Sequence, residues 1–238
     1  MGMPVTVEIV GFADAEAAIN DTFGYFTSVD ERYSTYKPDS EISHINRGLA
    51  RENWSEETRA VLDLCEQTKR ETNGYFDIRH NGKLDPSGLV KGWAIEQAAK
   101  RLRKQGVKNF YVEAGGDIQT NGVNSSGERW HIGIRNPFDL QEIVKVLAVS
   151  DEGVATSGTY IRGQHIYDPH APNLPIETIK SLTVIGPNIY EADRFATAAF
   201  AMAEDGIRFI DSLEGFEGYM IDHNKIATFT RGLERYVV

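Results

Sequence analysis

The chain has 238 residues, 41% of them apolar and 25% charged, proportions ordinary for a soluble globular protein. Its net charge of −10 argues against nucleic-acid or anionic-membrane partners, which need clustered Lys and Arg. No apolar run is long enough to span a bilayer, and no period suggests a solenoid or propeller.

The segment Met1-Gly2-Met3-Pro4 leads straight into alternation over Val5 to Val10 that predicts a strand. No signal peptide precedes it, so a cytoplasmic protein is expected. Ala13 to Tyr33 carries apolar residues at helical spacing (Ala18, Phe23, Phe26, Val29, Tyr33) and predicts a long helix. A polar turn over Ser34 to Glu41 leads into a short helix start at Ser40. Ser55, followed by Glu56 and Glu57, predicts the N-cap of a helix reaching about Thr72, which Asn73-Gly74 breaks. Cys65 lies on the apolar face of that helix and reads as a small core residue; as the chain's one cysteine it makes no internal disulfide.

Asp85 to Gln105 predicts a third helix, closed by Gly106. Phe110 to Val112 predicts a buried strand ending in Gly115-Gly116-Asp117. Further strands are expected at His131 to Ile134, Val144 to Val149, Val154 to Ala155 and Ser181 to Ile185. Helices are expected at Glu191 to Ala203 and Gly206 to Leu213, and a hairpin around Asn224 closes the chain. Strands and helices mix without strict βαβ alternation. The expected class is α+β, mostly antiparallel, as one domain over residues 1–238.

Four segments carry residue types suited to chemistry. In Asp85-Pro86-Ser87-Gly88-Leu89-Val90-Lys91-Gly92, Asp85 suits an N-cap and Pro86 the first helical position. Gly88 and Gly92 would each cost roughly 1 kcal/mol in a helix interior, and the helix dipole disfavours a cation such as Lys91 near its start. An anion held by backbone N–H groups and the ammonium explains these features; so does a tight packing contact at the glycines beside a solvated lysine. Asp193 and Thr197, four residues apart, share a helix face and offer the oxygen ligands Mg²⁺ prefers; taken alone, a helix-start acid and a buried threonine bonded to its own helix explain them more readily. Gly115-Gly116-Asp117 allows close backbone approach to a ligand, or a plain hairpin turn. His165 and Asp168, three apart, could form a base and its orienting partner, or be surface residues.

Taken together and in order, these segments resemble the ApbE family, the FAD:protein FMN transferases. The resemblance also takes in Ser34-Thr35-Tyr36, Asp39-Ser40-Glu41, Gly74-Tyr75-Phe76-Asp77-Ile78, Thr156-Ser157-Gly158, His165-Ile166-Tyr167-Asp168-Pro169, Ala192-Asp193 and Ala196-Thr197-Ala198. It covers nearly the whole chain and implies an ApbE/T-fold-like domain of antiparallel sheets flanked by helices. It further implies Mg²⁺-dependent transfer of the FMN half of FAD to a Thr or Ser hydroxyl of an acceptor flavoprotein, with release of AMP. FAD pyrophosphatase activity and non-catalytic flavin storage are the alternatives.

By the same resemblance, Asp193, Thr197 and the Gly88 carbonyl would hold Mg²⁺. FAD would be bound by Met1, Tyr36, Phe76, Asp77, Ile78, Asp85, Ser87, Lys91, Gly115, Gly116, Asp117, Ser157, Gly158 and Ser181. His165 would sit near the acceptor hydroxyl, oriented by Asp168. Three departures stand out. His170-Ala171-Pro172-Asn173 replaces the usual Thr-Gly after Asp-Pro, Met3 stands where Thr is common, and Ala196 where some relatives place a carboxylate.

Overall fold

The computed structural model describes residues 2–159 and 166–238. Strand β1 (Val5–Val10) leads into helix α1 (Ala15–Tyr33). The next two helices start on side-chain caps, as their residue types demand. Ser40 accepts from the Ser43 amide ahead of α2 (Glu41–Asn46), and Ser55 accepts from the Thr58 amide ahead of α3 (Glu56–Glu71). After α3 the chain reverses through Asn73 and Gly74, both at positive φ. On α3, Cys65 is 1% exposed, and burial pushes its thiol up, out of reach of ionisation.

A small hairpin follows, β2 (Arg79–His80) and β3 (Lys83–Leu84). Then comes α4 (Ser87–Lys104), which starts two residues later than expected. Pro86 occupies the N-cap position, and Asp85 sits one residue further out, its carboxylate accepting from the Ser87 amide at 3.0 Å.

Strands β4 (Asn109–Ala114) and β5 (Asp117–Asn121) form a hairpin across Gly115 and Gly116, whose φ values of 62° and 94° suit a two-residue loop that needs positive φ at both positions. A second hairpin, β6 (Trp130–Asn136) and β7 (Asp139–Val149), is followed by β8 (Gly153–Gly158) and β9 (Ile179–Gly186). Helix α5 (Ile189–Ala201), capped by Asn188 on the Glu191 amide, and α6 (Gly206–Asp211) precede the closing hairpin of β10 (Glu217–Asp222) and β11 (Ala227–Phe229).

Seven strands make one fully antiparallel sheet in the order β1-β4-β5-β8-β9-β10-β11. The architecture is therefore α+β and mostly antiparallel, as expected. Successive side chains on a strand point to opposite faces, and the sheet uses both. Ala155, Val184 and Met220 join the main core with α1, α4 and α5. Their neighbours Val154, Ile185 and Tyr219 pack with Trp130, Leu147 and Val149 under the β6–β7 hairpin. Among the described residues no helix is long and apolar enough to cross a membrane.

The middle of the sheet is also where side chains take over from the backbone. β5 and β8 share only two paired positions, Ile118↔Val154 and Gln119↔Gly153. The gap is bridged by Asp117, whose Oδ1 accepts from the Thr156 amide at 3.0 Å. Gln119, wholly buried, donates to the carbonyls of Thr120 and Asp151 and accepts from the Ile189 amide at 2.7 Å, tying the start of α5 to the sheet. Gly153 lets that helix start come close: a Cβ there would stand 2.1 Å from the Ile189 nitrogen.

Gly153→Ala should therefore lower unfolding stability by about 1–3 kcal/mol through overpacking against backbone, read from a urea titration. Gly24 in α1, where an added Cβ would meet nothing within 4 Å, is the control. Gly24→Ala should raise stability by roughly 0.5–1 kcal/mol from helix propensity.

Candidate active site

Helices α4 and α5 cross at Gly92. A Cβ there would lie 2.6 Å from the Asp193 Cβ and 2.8 Å from the Ile189 carbonyl oxygen. The Gly92 amide donates to Asp193 Oδ2 at 2.8 Å. Gly92 is thus a packing glycine between two helices, the structural alternative to a phosphate-facing glycine. Gly88, one turn earlier, is different. Its nearest contacts would be ordinary, 3.4 Å to Thr197 Cγ2 and 3.5 Å to the Phe76 ring, and its carbonyl lies 3.5 Å from Thr197 Oγ1.

Asp193 is 2% exposed. Burial pushes its carboxyl well above the usual carboxylate range; the Lys91 ammonium opposes that and the Asp117 carboxylate adds to it. Lys91 Nζ stands 2.5 Å from Asp117 Oδ2 and 3.4 Å from Asp193 Oδ1. The ammonium expected to meet a phosphate therefore rests in this structure between two buried carboxylates.

These groups form the floor of a cleft of about 1280 Å³. Thirteen of the candidate residues line it: Tyr36, Phe76, Asp77, Ile78, Asp85, Ser87, Gly88, Lys91, Gly115, Ser157, Gly158, Asp193 and Thr197. Phe76 and Ile78 are buried and supply an apolar wall, while Tyr36, 95% exposed, stands at the mouth. Asp77 is held by Lys69 at 2.6 Å and by the Arg79 amide at 2.9 Å.

Four candidates are placed outside the lining. Gly116 serves the hairpin turn, its amide donating to Glu113. Asp117 lies behind Lys91. Ser181 is 1% exposed on β9, paired opposite Gly158, and its Oγ finds no hydrogen-bond partner among the described residues. Asp168 accepts from the His170 amide at 2.8 Å, closing its own turn. Met1 and His165 lie outside the described residues.

The cleft also contains residues that motif reading passed over. Arg47, His80 and Lys83 line it, as do Pro172 and Asn173 from the segment that departs from the usual pattern and Leu174 just after it. The β2–β3 hairpin brings in His80 and Lys83, and its signal was present as Asn81-Gly82, a dipeptide suited to a tight hairpin. Asn46 locks that hairpin to α2, donating to the Leu84 carbonyl at 2.9 Å and accepting from the Leu84 amide at 2.8 Å. Tyr167 donates to the Asp77 carbonyl at 2.9 Å, and its ring lies 4.3 Å from that of His80.

The donor set suits a hard cation. A hydroxyl and a carbonyl meet across the α4–α5 seam, the Asp193 carboxylate lies one turn away on α5 in the same lining, and Mg²⁺ takes oxygen ligands while leaving positions for water and phosphate. Adjacent ligands about 2.1 Å from such an ion stand roughly 3 Å apart, close to the 3.5 Å between the Gly88 carbonyl and Thr197 Oγ1. The cleft volume exceeds the roughly 300–1,000 Å³ of common small-molecule sites and has room for a dinucleotide. Asp77, Asp85 and Asp193 share the lining with Arg47, Lys83 and Lys91, so cations stand beside the acids within an acidic chain.

Fold and cleft together define an α+β protein with a dinucleotide-sized cleft, and comparison with known proteins places it in a family. The ApbE family model matches residues 1–81 and 79–220; the chain belongs to the ApbE family. It is 24% identical to the FAD:protein FMN transferase of Vibrio cholerae over 82% of this chain and 76% of that protein. It is 30% identical to the Escherichia coli K12 protein of the same name, over 58% of this chain and 42% of that protein. Among solved structures, the flavin transferase ApbE from Vibrio cholerae superposes with a TM-score of 0.86 at 23% identity, covering 99% of this chain and 96% of that one. The Thermotoga maritima ApbE protein gives 0.85 at 20% identity, covering 99% and 96%.

Gly92→Ala should disturb the α4–α5 contact and cost about 1–3 kcal/mol, whereas Gly88→Ala should change unfolding stability by less than about 1 kcal/mol. Parallel thermal and urea unfolding of the two variants checks the difference.

Proposed function

We propose that this protein transfers the FMN moiety of FAD to a Thr or Ser hydroxyl of an acceptor flavoprotein, releasing AMP, in a Mg²⁺-dependent reaction. The observation that carries the reading is that Asp193, Thr197 and Gly88 line one dinucleotide-sized cleft, with the Gly88 carbonyl 3.5 Å from the Thr197 hydroxyl. Family membership and the names of the relatives support flavin transfer. The chain would act as one unit over residues 1–238, since the site draws on α4, α5, β4–β5 and β8 alike.

Asp193, Thr197 and the Gly88 carbonyl would hold the cation. When bound, Mg²⁺ supplies charge neutralisation to the pyrophosphate and to the oxygen leaving with AMP. Phe76, Ile78 and Tyr36 would take the flavin or adenine rings, and Ser87, Ser157 and Gly158 would approach the ligand along the cleft wall. Ser181, with its unsatisfied hydroxyl beside Gly158, would reach the site through the same wall. Lys91 would lend positive charge to the phosphate side while remaining against Asp117. The acceptor oxygen attacks the FMN-side phosphorus, the bond from that phosphorus to the bridging oxygen breaks, and AMP departs with the electron pair. His165 would take the hydroxyl proton, with Asp168 in support.

Incubation of the protein with FAD, Mg²⁺ and a flavoprotein fragment bearing an acceptor Thr should add the mass of an FMN moiety to that fragment. Free FMN and AMP without modification would instead mark a pyrophosphatase, and FAD surviving intact would mark a binding protein. Asp193→Ala should abolish Mg²⁺-dependent transfer. Thr197→Val should raise the Mg²⁺ concentration needed for half-maximal rate, by about tenfold for the loss of one oxygen ligand, read from a metal titration.

A further inference from the structure

We propose that His170 is a positioning residue of the cleft: its imidazole pegs residues 169–175 to residues 73–78 by a hydrogen bond, so that two separately built stretches of lining keep one spacing for the ligand. This rests on the reading of the cleft as the FAD site given above.

Pro169, Pro172, Asn173, Leu174 and Pro175 supply one stretch of the lining, and residues 75–78 supply another. His170 itself lies outside the lining. Three prolines remove backbone donors from residues 169–175, so strand pairing is closed to much of the segment. The backbone hydrogen bonds it makes among the described residues fold it on itself: the Ala171 amide donates to the Asp168 carbonyl at 3.0 Å and the Leu174 amide to the Ala171 carbonyl at 2.9 Å. Side chains must therefore tie it to the rest of the protein. Just before it, Tyr167 donates to the carbonyls of Asp77 and Arg79 at 2.9 and 3.2 Å. Just after it, Ile176 is buried in the main core. Residues 172–175 between these anchors are exposed, and His170 is placed to hold them.

The peg consists of three contacts. His170 Nε2 stands 3.0 Å from the Asn73 carbonyl oxygen; a carbonyl only accepts, so this nitrogen donates. The imidazole meets the Tyr75 ring edge-on, with centroids 4.6 Å apart at 71°, and Tyr75 belongs to the lining, so the contact reaches the cleft wall itself. The ring also lies over Gly74, at φ +86°, where a Cβ would stand 3.3 Å from His170 Cε1. Gly74 thus serves twice, ending α3 and seating the imidazole. Asp168 aims the peg, its carboxylate accepting from the His170 amide at 2.8 Å. A spacing set before the ligand arrives leaves less ordering to be done on binding.

FAD binding followed by quenching of flavin fluorescence, with and without Mg²⁺ and without an acceptor, tests this. His170→Ala should raise the Kd about three- to tenfold, the worth of one hydrogen bond, while the urea midpoint for unfolding stays at the wild-type value. His170→Leu, which keeps bulk over Gly74 and Tyr75 but has no donor, should weaken binding as well. His170→Gln, whose side-chain amide can donate to the Asn73 carbonyl, should recover most of the affinity. Hydrogen exchange over residues 167–175 should quicken in the Ala and Leu variants and slow again in the Gln variant. A Kd within twofold of wild type for both Ala and Leu, or a Gln variant that binds no better than Leu, overturns the proposal. If His170→Ala does not fold, as judged by circular dichroism, the comparison of Leu with Gln decides it. A wild-type protein that binds no FAD under either condition removes the reading of the cleft, whereas wild-type binding with unmoved variants removes only the role given to His170.

Discussion

The contact between α4 and α5 at Gly92 is the constraint on which the site depends. Because residue 92 has no side chain, the Asp193 carboxylate can lie against the α4 backbone and accept its amide at 2.8 Å. One turn earlier on α4 and one turn later on α5, Gly88 and Thr197 then face each other across the same seam. Contacts between segments about a hundred residues apart in the chain, Gly92 with Asp193 and Gly88 with Thr197, are made by one close helix crossing. The crossing is held from behind: Gln119 accepts the first amide of α5, Gly153 admits that helix start to the sheet, and Asn188 caps it.

The charges follow the same geometry. Buried ions are tolerated when paired, and on α5 they are paired on both sides. Asp193 faces Lys91, while Arg194, next in sequence and 5% exposed, points the other way toward Glu191 and Glu71 and stacks its guanidinium 3.9 Å from the Phe195 ring centre. That second cluster ties α5 to α3. An acidic chain can then offer an anionic ligand a lining in which Arg47, Lys83 and Lys91 offset the aspartates.

Much of the fold was legible because local rules decided it. β1 falls on the residues that alternate, and the caps at Ser40 and Ser55 do what their hydroxyls predict. What was hidden depended on partners distant in sequence. β5 follows a glycine turn but has few apolar residues, and it is a strand because Asp117 and Gln119 bond sideways into β8 and α5. The start of α4 moved from Asp85 to Ser87 because the Asp85 carboxylate reaches the amide two residues on, leaving Pro86 as the cap. The site divides in the same way. Asp193 and Thr197 share a helix face, which spacing reveals. The roles of Gly92 and Lys91 were open between ligand and packing, and the structure assigns Gly92 to packing and places Lys91 between two carboxylates.

Lys91, Asp117 and Asp193 sit where an apolar core would be the simpler solution. Replacing buried ion pairs with packed hydrophobic side chains is often neutral or stabilising, and the surrounding core of Leu89, Ala155, Ala192 and Ala196, all fully buried, has the residue types to complete such packing. The structural work seen here, Asp117 accepting from the Thr156 amide and Asp193 from the Gly92 amide, uses one oxygen of each carboxylate. Under the function proposed above, a cation or phosphate entering from the cleft would meet groups already desolvated and already oriented, with little reorganisation left for the moment of binding. The helix crossing that holds these groups is itself kept in place by Gly92, Gln119 and Gly153, each admitting or bonding the backbone of the facing element.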